Sequence, residues 1–493
     1  MKGVLRILGR RVLAAASLAT LVGVSDALSS ETSCVYEAGS ERLLITATVL
    51  APDGPIVGGR VLIGADGAIS CVGAACGTGA EDVSRLDCGE LVLSPGFINA
   101  HDHIDYAGIP PIPDSGERFA HRHEWRRGFN GRTRLETFGP DLNPLTIGWG
   151  ELRFLVGGTT SIVGEAMAPG LTRNLDFADG LDGLEARPVT YDVFPLDDIE
   201  GPLLTKTCDY GRNPVTPKGV EDAGAYLAHL SEGVDDAAAN EFRCSSSSSY
   251  DEEPRPEGGG VSSDWISPSA TLIHAIALGA ADFNLVAARG ASIVWSPRSN
   301  LALYGGTLEV LEAKRRGVNI ALGSDWLPSG SMNLNRELVC AQSYNTEELG
   351  GALTSRDLWE MVTVNAAKAT HTDAMIGTIA VGRVADLALF RPAGSDPYDA
   401  AVMSDPRSTT LVLKGGQILF GDEALVSDIR EDCEAISVAG APKALCPEQG
   451  RPAAGDFFEF AAQRDFYPLA FAGPPKDEPP CELANLIETT DTN

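Results

Sequence analysis

The sequence predicts an α/β protein in which a parallel sheet, closed or open, is accompanied by a small β domain. Short apolar runs with the character of strands alternate with helical patterns through the middle of the chain, and such alternation is typical of a parallel sheet. These runs are 158–165, 187–194, 225–231, 271–276, 291–296 and 319–325. Short β-branched runs separated by Gly, Pro and Asp recur at both ends of the chain and predict one small β domain built from both ends. They are 42–50, 57–64, 88–94, 385–390 and 409–420.

The length of the chain allows two domains, whose boundaries follow the sequence patterns. With 493 residues, 44% of them hydrophobic, the chain can bury one large core and a smaller one. We place the small β domain at 42–95 and 380–425, and the domain of alternating strands and helices at 96–379. Segment 245–260 has five serines followed by charged and Gly-rich residues, so it is predicted to be a solvated loop inserted between two elements. Residues 430–493, rich in Pro, Asp and Glu, are predicted to wrap over the surface.

The charge of the chain excludes some classes of partner. The formal net charge is −30, and an acidic chain repels phosphate backbones and anionic lipids. We therefore expect no nucleic-acid partner and no stable membrane association. The charge favours solubility, and assembly with further copies of the chain is left open.

The first residues have the layout of a cleaved secretory signal. Lys2, Arg6, Arg10 and Arg11 precede an apolar stretch from Val12 to Val24, and Ser25-Asp26-Ala27 follows it. Residues 1–27 are therefore predicted to be a signal peptide and the protein to be exported, periplasmic or extracellular. The apolar run is short for a membrane span. The paired arginines allow either the general secretory or the twin-arginine route.

The ten cysteines support the same compartment. They form no CxxC pair, and most lie in the flanking domain, the tail or loops, which favours disulfides over a zinc-thiolate site. We expect Cys71 and Cys76 to bond to each other or to neighbours in the flanking domain. We expect the tail cysteines Cys433, Cys446 and Cys481 to be tied to the body of the protein, and none of the ten to ligate a metal.

Four of the seven histidines fall at the carboxyl ends of predicted strands. His101 and His103 close the run SPGFINAHDH, and alternate residues of a strand point the same way, which is typical of a pair of metal ligands. His229 ends AYLAHLSEG, His274 lies in TLIHAI, and Asp325 ends NIALGSD. Because active sites of parallel barrels gather at the carboxyl ends of the strands, these side chains are candidates for one site.

Longer runs carry a resemblance to a known family. PGFINAHDH, GTTSIV, HLSE, GASIVWSPRSNLALYG, ALGSDW and TVNAAKATHTDAMIGTIAVGRVADLALF occur in the order seen in amidohydrolases. Over roughly residues 42–425 the chain resembles the mononuclear branch of that superfamily, which includes guanine deaminase, cytosine deaminase and the chlorotriazine hydrolases. The resemblance implies a (β/α)₈ TIM-like barrel with a small β-sandwich domain. It also requires an eighth strand, expected between 195 and 224, where no apolar run marks one.

The resemblance also implies roles for particular residues. The ligands of one divalent ion are His101, His103, His229 and Asp325; zinc is the expected ion, with iron(II) as the alternative. Glu232 is the acid/base that carries a proton from water to the leaving nitrogen, and His274 orients and polarises that water, so that Glu232, His274 and Asp325 form the catalytic set. The predicted activity is metal-dependent hydrolysis of a non-peptide carbon–nitrogen bond in a small amide, amidine or heterocyclic amine.

Four residues are candidates for substrate binding. The sequence reads Val294-Trp295-Ser296-Pro297 where the seventh strand of deaminases often reads His-Cys-Pro, which counts against a purine or pyrimidine substrate. Trp295 is predicted either to pack or to contact substrate. Arg298 and Asn300 follow this strand and can grip a carboxylate or an amide, with surface solvation as the alternative for Arg298. His123, in the loop after the first strand, is a candidate lid or pocket residue.

Two other functions remain open at this stage. A dinuclear amidase or dipeptidase would need a bridging lysine at the end of the fourth strand. Lys206 and Lys218 are the lysines between His103 and His229, and neither ends an apolar strand, so a single ion is favoured. A non-catalytic binding protein of the same fold is the other alternative. The presence of all six expected polar residues favours an enzyme, without deciding between deamination and amide hydrolysis.

Overall fold

The computed structural model describes residues 34–136, 139–253, 261–446, 448 and 450–483. The signal peptide predicted at 1–27 lies outside these residues. Within the described ranges, no helix is both long enough and apolar enough to cross a lipid bilayer.

The amino-terminal part consists of five strands. They are β1 (Val35–Glu37), β2 (Leu43–Ala51), β3 (Gly54–Ile63), β4 (Ile69–Gly73) and β5 (Ser84–Pro95). Most side chains of β2 are buried, and β2 pairs with β3 in antiparallel and with β5 in parallel orientation. This arrangement agrees with the β-branched runs that predicted the small domain.

Eight further strands, all parallel to their neighbours, form two sheets. β6 (Phe97–Asn99), β7 (Thr159–Ile162) and β8 (Arg173–Asn174) make one sheet, and β9 (Thr190–Asp192), β10 (Tyr226–Leu230), β11 (Ala270–His274), β12 (Ser292–Trp295) and β13 (Asn319–Leu322) make the other, each in chain order. Every residue of β10, β11 and β12 is buried, as expected of parallel strands covered on both faces. Hydrogen bonds also join the two sheets, from Val189 N to Leu175 O (2.8 Å) and from Asp325 N to His101 O (3.1 Å).

Helices connect these strands and cover the sheets. They are α1 (Arg122–Arg127), α2 (Pro144–Leu155), α3 (Pro217–Ala223), α4 (Asp236–Ser246), α5 (Ala280–Arg289), α6 (Pro297–Tyr304), α7 (Val310–Arg315), α8 (Leu334–Glu347), α9 (Ser355–Met361), α10 (Val364–Ala369), α11 (Asp399–Val402), α12 (Glu423–Ile429) and α13 (Ala454–Arg464). Short 3₁₀ turns occur at Ile104–Tyr106, Phe129–Gly131 and Asp179–Leu181. Several helices begin at a side-chain cap that accepts a backbone N–H, as at Asn143, Thr216, Asp235 and Asn333.

The eighth strand is not where the sequence analysis expected it. β8 is Arg173–Asn174, whereas 195–224 holds irregular chain and α3. No apolar run marks β8, because a buried arginine occupies it. The guanidinium of Arg173 donates to the carboxylate of Asp386 (2.8 Å from Nε), just before the last group of strands, and to carbonyls in the turn that follows β8. A charge can be buried here because a carboxylate far along the chain pairs with it.

The last five strands complete the small domain. β14 (Leu387–Phe390), β15 (Thr409–Lys414), β16 (Gln417–Asp422), β17 (Glu434–Val438) and β18 (Ala441–Leu445) join β1–β5 in one ten-stranded sheet, in which β14 pairs with β5. Strands from both ends of the described chain therefore share one sheet. The described residues of the predicted surface wrap differ from that prediction, since they add β17 and β18 to the sheet and pack α13 against α2, with Phe457 beside Gly148. The low-complexity loop begins later than predicted, because α4 extends to Ser246; residues 254–260 of that loop lie outside the described residues.

All ten cysteines pair within the described residues. The pairs are Cys34–Cys88, Cys71–Cys76, Cys208–Cys244, Cys340–Cys481 and Cys433–Cys446. The expected bond of Cys71 with Cys76 is present, and Cys481 ties the tail to α8. Cys433 and Cys446 differ from the expectation: they bond to each other across the β17–β18 hairpin, because these strands belong to the sheet and not to a separate tail.

Two loops of different length that are closed by disulfides allow a stability test. Replacing Cys208 and Cys244 together by alanine should lower the free energy of unfolding by about 2–4 kcal/mol, because the bond closes a long loop (sequence separation 36) in the unfolded chain. Replacing Cys71 and Cys76 is the matched control and should cost less, since their separation is 5. Denaturant unfolding measures both, and peptide mapping without reduction should recover all five bonds. Equal losses from the two double variants would contradict the loop-closure explanation.

Candidate metal centre and its cavity

The four predicted ligands lie at the carboxyl ends of three parallel strands. His101 and His103 follow β6, His229 is the fourth residue of β10, and Asp325 follows β13. The candidate ligand atoms of the three histidines all lie within 4.8 Å of one another. Asp325 Oδ1 is 3.2 Å from His101 Nε2 and 3.8 Å from His103 Nε2. The structure therefore brings these four side chains together.

The nitrogen atoms at this place lack the partners that buried polar atoms normally have. His101 Nε2 and His229 Nδ1 are buried and make no hydrogen bond of acceptable geometry within the described part of the chain. Leaving such an atom unpaired costs about 1–3 kcal/mol, which a bound cation would offset. Imidazole nitrogens and a carboxylate are ligands that zinc prefers. The residues present thus fit a divalent ion.

Burial and charge set the protonation of these groups. Burial lowers the pKa of His101 to about 4 and that of His229 well below its usual value, so both are neutral, as ligands must be. Burial also lowers the pKa of His103, but the Glu165 carboxylate, 2.6 Å from Nδ1, outweighs it and raises that pKa to about 9. An ion at His103 Nε2 must therefore displace a proton. Burial alone would raise the pKa of Asp325, but the imidazoles around it, with His101 Nε2 at 3.2 Å from Oδ1, hold that pKa below its usual value.

Glu232 lies beside the ligands, two residues after β10. Its Oε1 accepts a hydrogen bond from the hydroxyl of Tyr304 (2.5 Å), which fixes one carboxylate oxygen. Its Oε2 is 3.9 Å from Nη1 of Arg122 and 3.7 Å from Nε2 of His274. Glu232 is buried, and one oxygen remains directed towards the centre of the site.

His274 is the last residue of β11 and lies beside Glu232. Its Nδ1 is 3.0 Å from the amide oxygen of Asn300, an acceptor, so Nδ1 carries the proton and Nε2 presents a lone pair. Nε2 is 4.0 Å from Asp325 Oδ2. His274 has a left-handed backbone (φ 70°), unusual for a residue with a side chain and held here within a buried strand end.

Two residues of the site were missed in the sequence analysis. The hydroxyl of Tyr191, in β9, is 2.8 Å from His101 Nδ1 and 3.3 Å from His103 Nε2. A tyrosine in a strand usually packs, so its sequence carries no signal for this contact. Glu165, which accepts from His103, ends the run GTTSIVGE and could have been found by the reasoning that selected Asp325.

The four predicted substrate-binding residues do not line the cavity of the site, so the structure does not support direct substrate contact for them. Trp295 is buried and donates its indole N–H to Thr307. Arg298 is buried, and its donors are used by Ser331 and by the carbonyls of Arg336 and Pro479, because the C-terminal tail reaches it. Asn300 positions His274, and the ring nitrogens of His123 bond to Asp198 and Arg126.

A cavity of about 750 Å³ opens above the centre. Its lining includes Glu232 and three of the candidate ligands, His103, His229 and Asp325. Its wall includes aromatic side chains and arginines, many of them from the segment that follows β6 and includes α1. These are Tyr106, Trp125, Phe194, Trp326, Arg122, Arg126, Arg127 and Arg134. The cavity has room for a small organic molecule.

Comparisons with known proteins agree with this arrangement. Residues 256–419 match the profile described as Amidohydrolase family. The chain is 34% identical over 125 residues to 5-methylthioadenosine/S-adenosylhomocysteine deaminase of Syntrophobacter fumaroxidans, covering 25% of this chain and 28% of that one. It is 24% identical over 396 residues to the enzyme of the same name from Moorella thermoacetica, covering 70% and 85%. Guanine deaminase of Homo sapiens is 31% identical over 134 residues, covering 26% and 30%. The stretches of higher identity thus span less than a third of those relatives.

Solved structures show the same fold at lower identity. Atrazine chlorohydrolase of Arthrobacter aurescens, complexed with zinc, superposes with a TM-score of 0.56 at 18% identity, covering 86% of this chain and 99% of that one. An adenosine deaminase of Xanthomonas campestris, with bound zinc, gives a TM-score of 0.52 at 19% identity, covering 79% and 97%.

Proposed function

We propose that this chain, in which residues 256–419 match the Amidohydrolase family profile, is a metal-dependent hydrolase of non-peptide carbon–nitrogen bonds. The observation that carries the proposal is the meeting of His101, His103, His229 and Asp325, with two unpartnered buried nitrogens, beside Glu232. Relatives named as deaminases of guanine and of adenosine derivatives support a small heterocyclic amine as substrate, with amides and amidines as further candidates.

We assign the ion to the four ligands named above. One divalent ion, zinc or alternatively iron(II), would supply the Lewis acidity that lowers the pKa of water towards about 7. Zinc in the related crystal structures supports the choice of ion. His101 and His229, whose buried nitrogens otherwise lack partners, would hold the ion, and Tyr191 accepts from His101 Nδ1 and so orients the ring.

Glu232 and His274 move and hold the protons in this proposal. Glu232 takes a proton from the attacking water with Oε2 and delivers it to the leaving nitrogen, while Tyr304 keeps Oε1 in place. His274 accepts a hydrogen bond from that water at Nε2, since Asn300 holds the proton on Nδ1. Arg122, paired with Asp198, lies 3.9 Å from Oε2 of Glu232 and helps to position that oxygen.

Architecture and compartment belong to the same proposal. The eight parallel strands close into a (β/α)₈ barrel, supported by the hydrogen bonds that join β8 to β9 and β13 to β6. The ten-stranded sheet serves as the β-sandwich-like domain. Five disulfides support export, and a signal at residues 1–27 would provide it.

A substrate screen with metal counting tests the proposed function. Purified protein loaded with zinc should release ammonia or amine from members of a panel of heterocyclic amines, lactams and acyl-amino acids, and chelation should abolish the activity. Plasma emission spectroscopy should find about one ion per chain for a site with three histidines and one carboxylate. Two ions would favour the dinuclear alternative, and metal binding without hydrolysis of any panel member would favour a non-catalytic binding protein.

Replacing Tyr191 should lower zinc affinity by less than loss of a metal ligand would. Replacing it by phenylalanine removes the hydroxyl that orients His101, and loss of such an outer partner lowers metal affinity by about 10–100-fold. Zinc competition with a chromogenic chelator measures this affinity. Tyr106→Phe is the matched control, because Tyr106 lines the same cavity and should leave zinc affinity unchanged. Unchanged affinity in Tyr191→Phe would remove the hydroxyl from the support of the site.

A further inference from the structure

Helix α1 presents three arginines to the cavity, and two of them, Arg122 and Arg126, differ in their electrostatic state. Arg122 and Arg126 are four residues apart, so they lie one above the other on the same helix face, and both line the cavity. Arg122 is paired with Asp198 and lies near Glu232. Arg126 has no carboxylate within ion-pair distance anywhere in the described ranges. Of these two arginines, Arg126 is therefore the one whose charge is not neutralised by a paired carboxylate in the described structure.

Arg126 is nevertheless held in a defined position. Its Nη1 lies 2.7 Å from His123 Nδ1 and donates to it, because His123 uses its other nitrogen on Asp198. Its guanidinium lies 4.3 Å from the centre of the Phe194 ring, in cation–π geometry. Among the described contacts Nε and Nη2 have no partner. The side chain is thus anchored on one edge, with further donors left for a ligand.

Arg126 keeps its positive charge at neutral pH although its surroundings lower its pKa. Burial, and then the nearby Arg122, lower the pKa of Arg126 to about 10, so the guanidinium stays cationic at neutral pH. The whole chain carries a net charge of −30, which repels anions at long range. A cationic group in the cavity is therefore the feature that would let an anionic molecule enter and stay.

We propose that Arg126 binds a carboxylate of the substrate, and that the hydrolysed carbon–nitrogen bond lies about one helical turn, roughly 5 Å, from that carboxylate. The spacing follows because Arg122, one turn away on α1, lies beside Glu232, the proton carrier of the proposed function, on which this inference rests. A planar carboxylate matches the fork of guanidinium donors. Trp125 and Phe194 line the same wall and favour an aromatic or apolar remainder.

A carboxylate fits this cavity better than a phosphate. Asp105, Glu136 and Glu165 also line the cavity, so a dianion would meet more repulsion than a monoanion. One oxygen of Asp105 is buried and lacks a hydrogen-bond partner in the described structure, which adds to the negative potential on that side. The substrate class is therefore a small amide, amidine or heterocyclic amine that carries one carboxylate.

Binding of matched probes tests the inference without requiring turnover. N-benzoylglycine and N-benzoylglycinamide have the same shape and differ in charge, and calorimetry measures their binding to the zinc-loaded protein, with chromatography to check that they stay intact. The carboxylate should bind at least about tenfold more tightly, since hydrogen bonds to a charged group are stronger than neutral ones. Arg126→Met should reduce this preference to less than about twofold, and Arg126→Lys should restore part of it.

Arg127→Met is the matched control. Arg127 also lines the cavity but is paired with Glu200, so its loss should leave the preference within about twofold of the wild type. Arg126→Gln, which keeps a donor for His123, is a second neutral variant in case the methionine variant does not fold.

Three results would overturn the inference. They are equal binding of the two probes by the wild type, a preference that survives in both Arg126→Met and Arg126→Gln, and tighter binding of phenyl phosphate than of N-benzoylglycine. Failure of the proposed function looks different: carbon–nitrogen hydrolysis and its zinc requirement would be absent while the preference that depends on Arg126 remained.

Discussion

Replacing Glu232 by glutamine should lower kcat by about 10²–10⁴-fold, because the amide cannot take up the proton that must reach the leaving nitrogen. The glutamine amide would keep an oxygen to accept from Tyr304, so the local hydrogen bond survives the change. We expect zinc content and thermal stability to stay close to those of the wild type. Steady-state kinetics on a substrate found in the screen, with metal analysis of the same sample, makes the comparison.

Glu136→Gln is the control for this variant. Glu136 is exposed and lines the outer part of the cavity, so neutralising it changes the local charge without touching the centre. It should leave kcat within about threefold, as expected of a rim charge that is screened by solvent. If Glu232→Gln were as active as Glu136→Gln, another group or a water relay would carry the proton.

Replacing His229 by alanine should lower zinc affinity by more than about 100-fold. Loss of a residue that only hydrogen-bonds to a metal ligand already lowers metal affinity by about 10–100-fold, and loss of a ligand should lower it further. His229 is a candidate ligand whose buried Nδ1 has no other partner in the described structure, so the site would lose one of its imidazole ligands. Activity should fall with zinc content and should not return when zinc is added at stoichiometric concentration. Chelator competition and kinetics measure the two losses on the same preparations.

His371→Ala separates ligand loss from a general effect of removing a histidine. His371 is exposed, and its Nε2 bonds to the carbonyl of Pro268. None of its described contacts involves a candidate ligand. It should keep full zinc affinity and activity. Full zinc binding in His229→Ala would mean that the ion lies with a different group of residues, such as His101, His274 and Asp325, which also come within ligand distance of one another.

The candidate ligands could be selected from the sequence because the relevant rules are local. A strand turns alternate side chains to one side, and the carboxyl ends of parallel strands share one edge, so the pattern makes the histidines and the aspartate at the strand ends candidates for one site. The choice of His101, His103, His229 and Asp325 as the ligands follows from the family resemblance. Glu232 and His274 follow from the resemblance and from the same strand ends. In each case a short apolar run next to a polar residue carries the information.

Residues on helices and loops could not be placed in this way. Arg298 was a candidate because it follows a strand, but it begins α6, where Glu478 and the carbonyl of Pro479 meet its guanidinium. The α1 segment contributes Arg122, Trp125 and Arg126 to the cavity, whereas the sequence analysis selected His123 from the same segment. Contacts with chain that is distant in sequence decide both cases.

The sequence by itself determined the alternation of strands and helices, the small β domain from both chain ends and the polar side chains at the strand ends, because each depends on periodicity over a few residues. The tertiary structure alone decided the position of β8, where Arg173 is buried against Asp386, and the hydroxyl of Tyr191 against His101. It also decided which arginine of α1 has no carboxylate beside it in the described part of the chain. The physical reason is that burial of a charge, or its pairing, depends on groups that approach through space, and no local pattern records that approach.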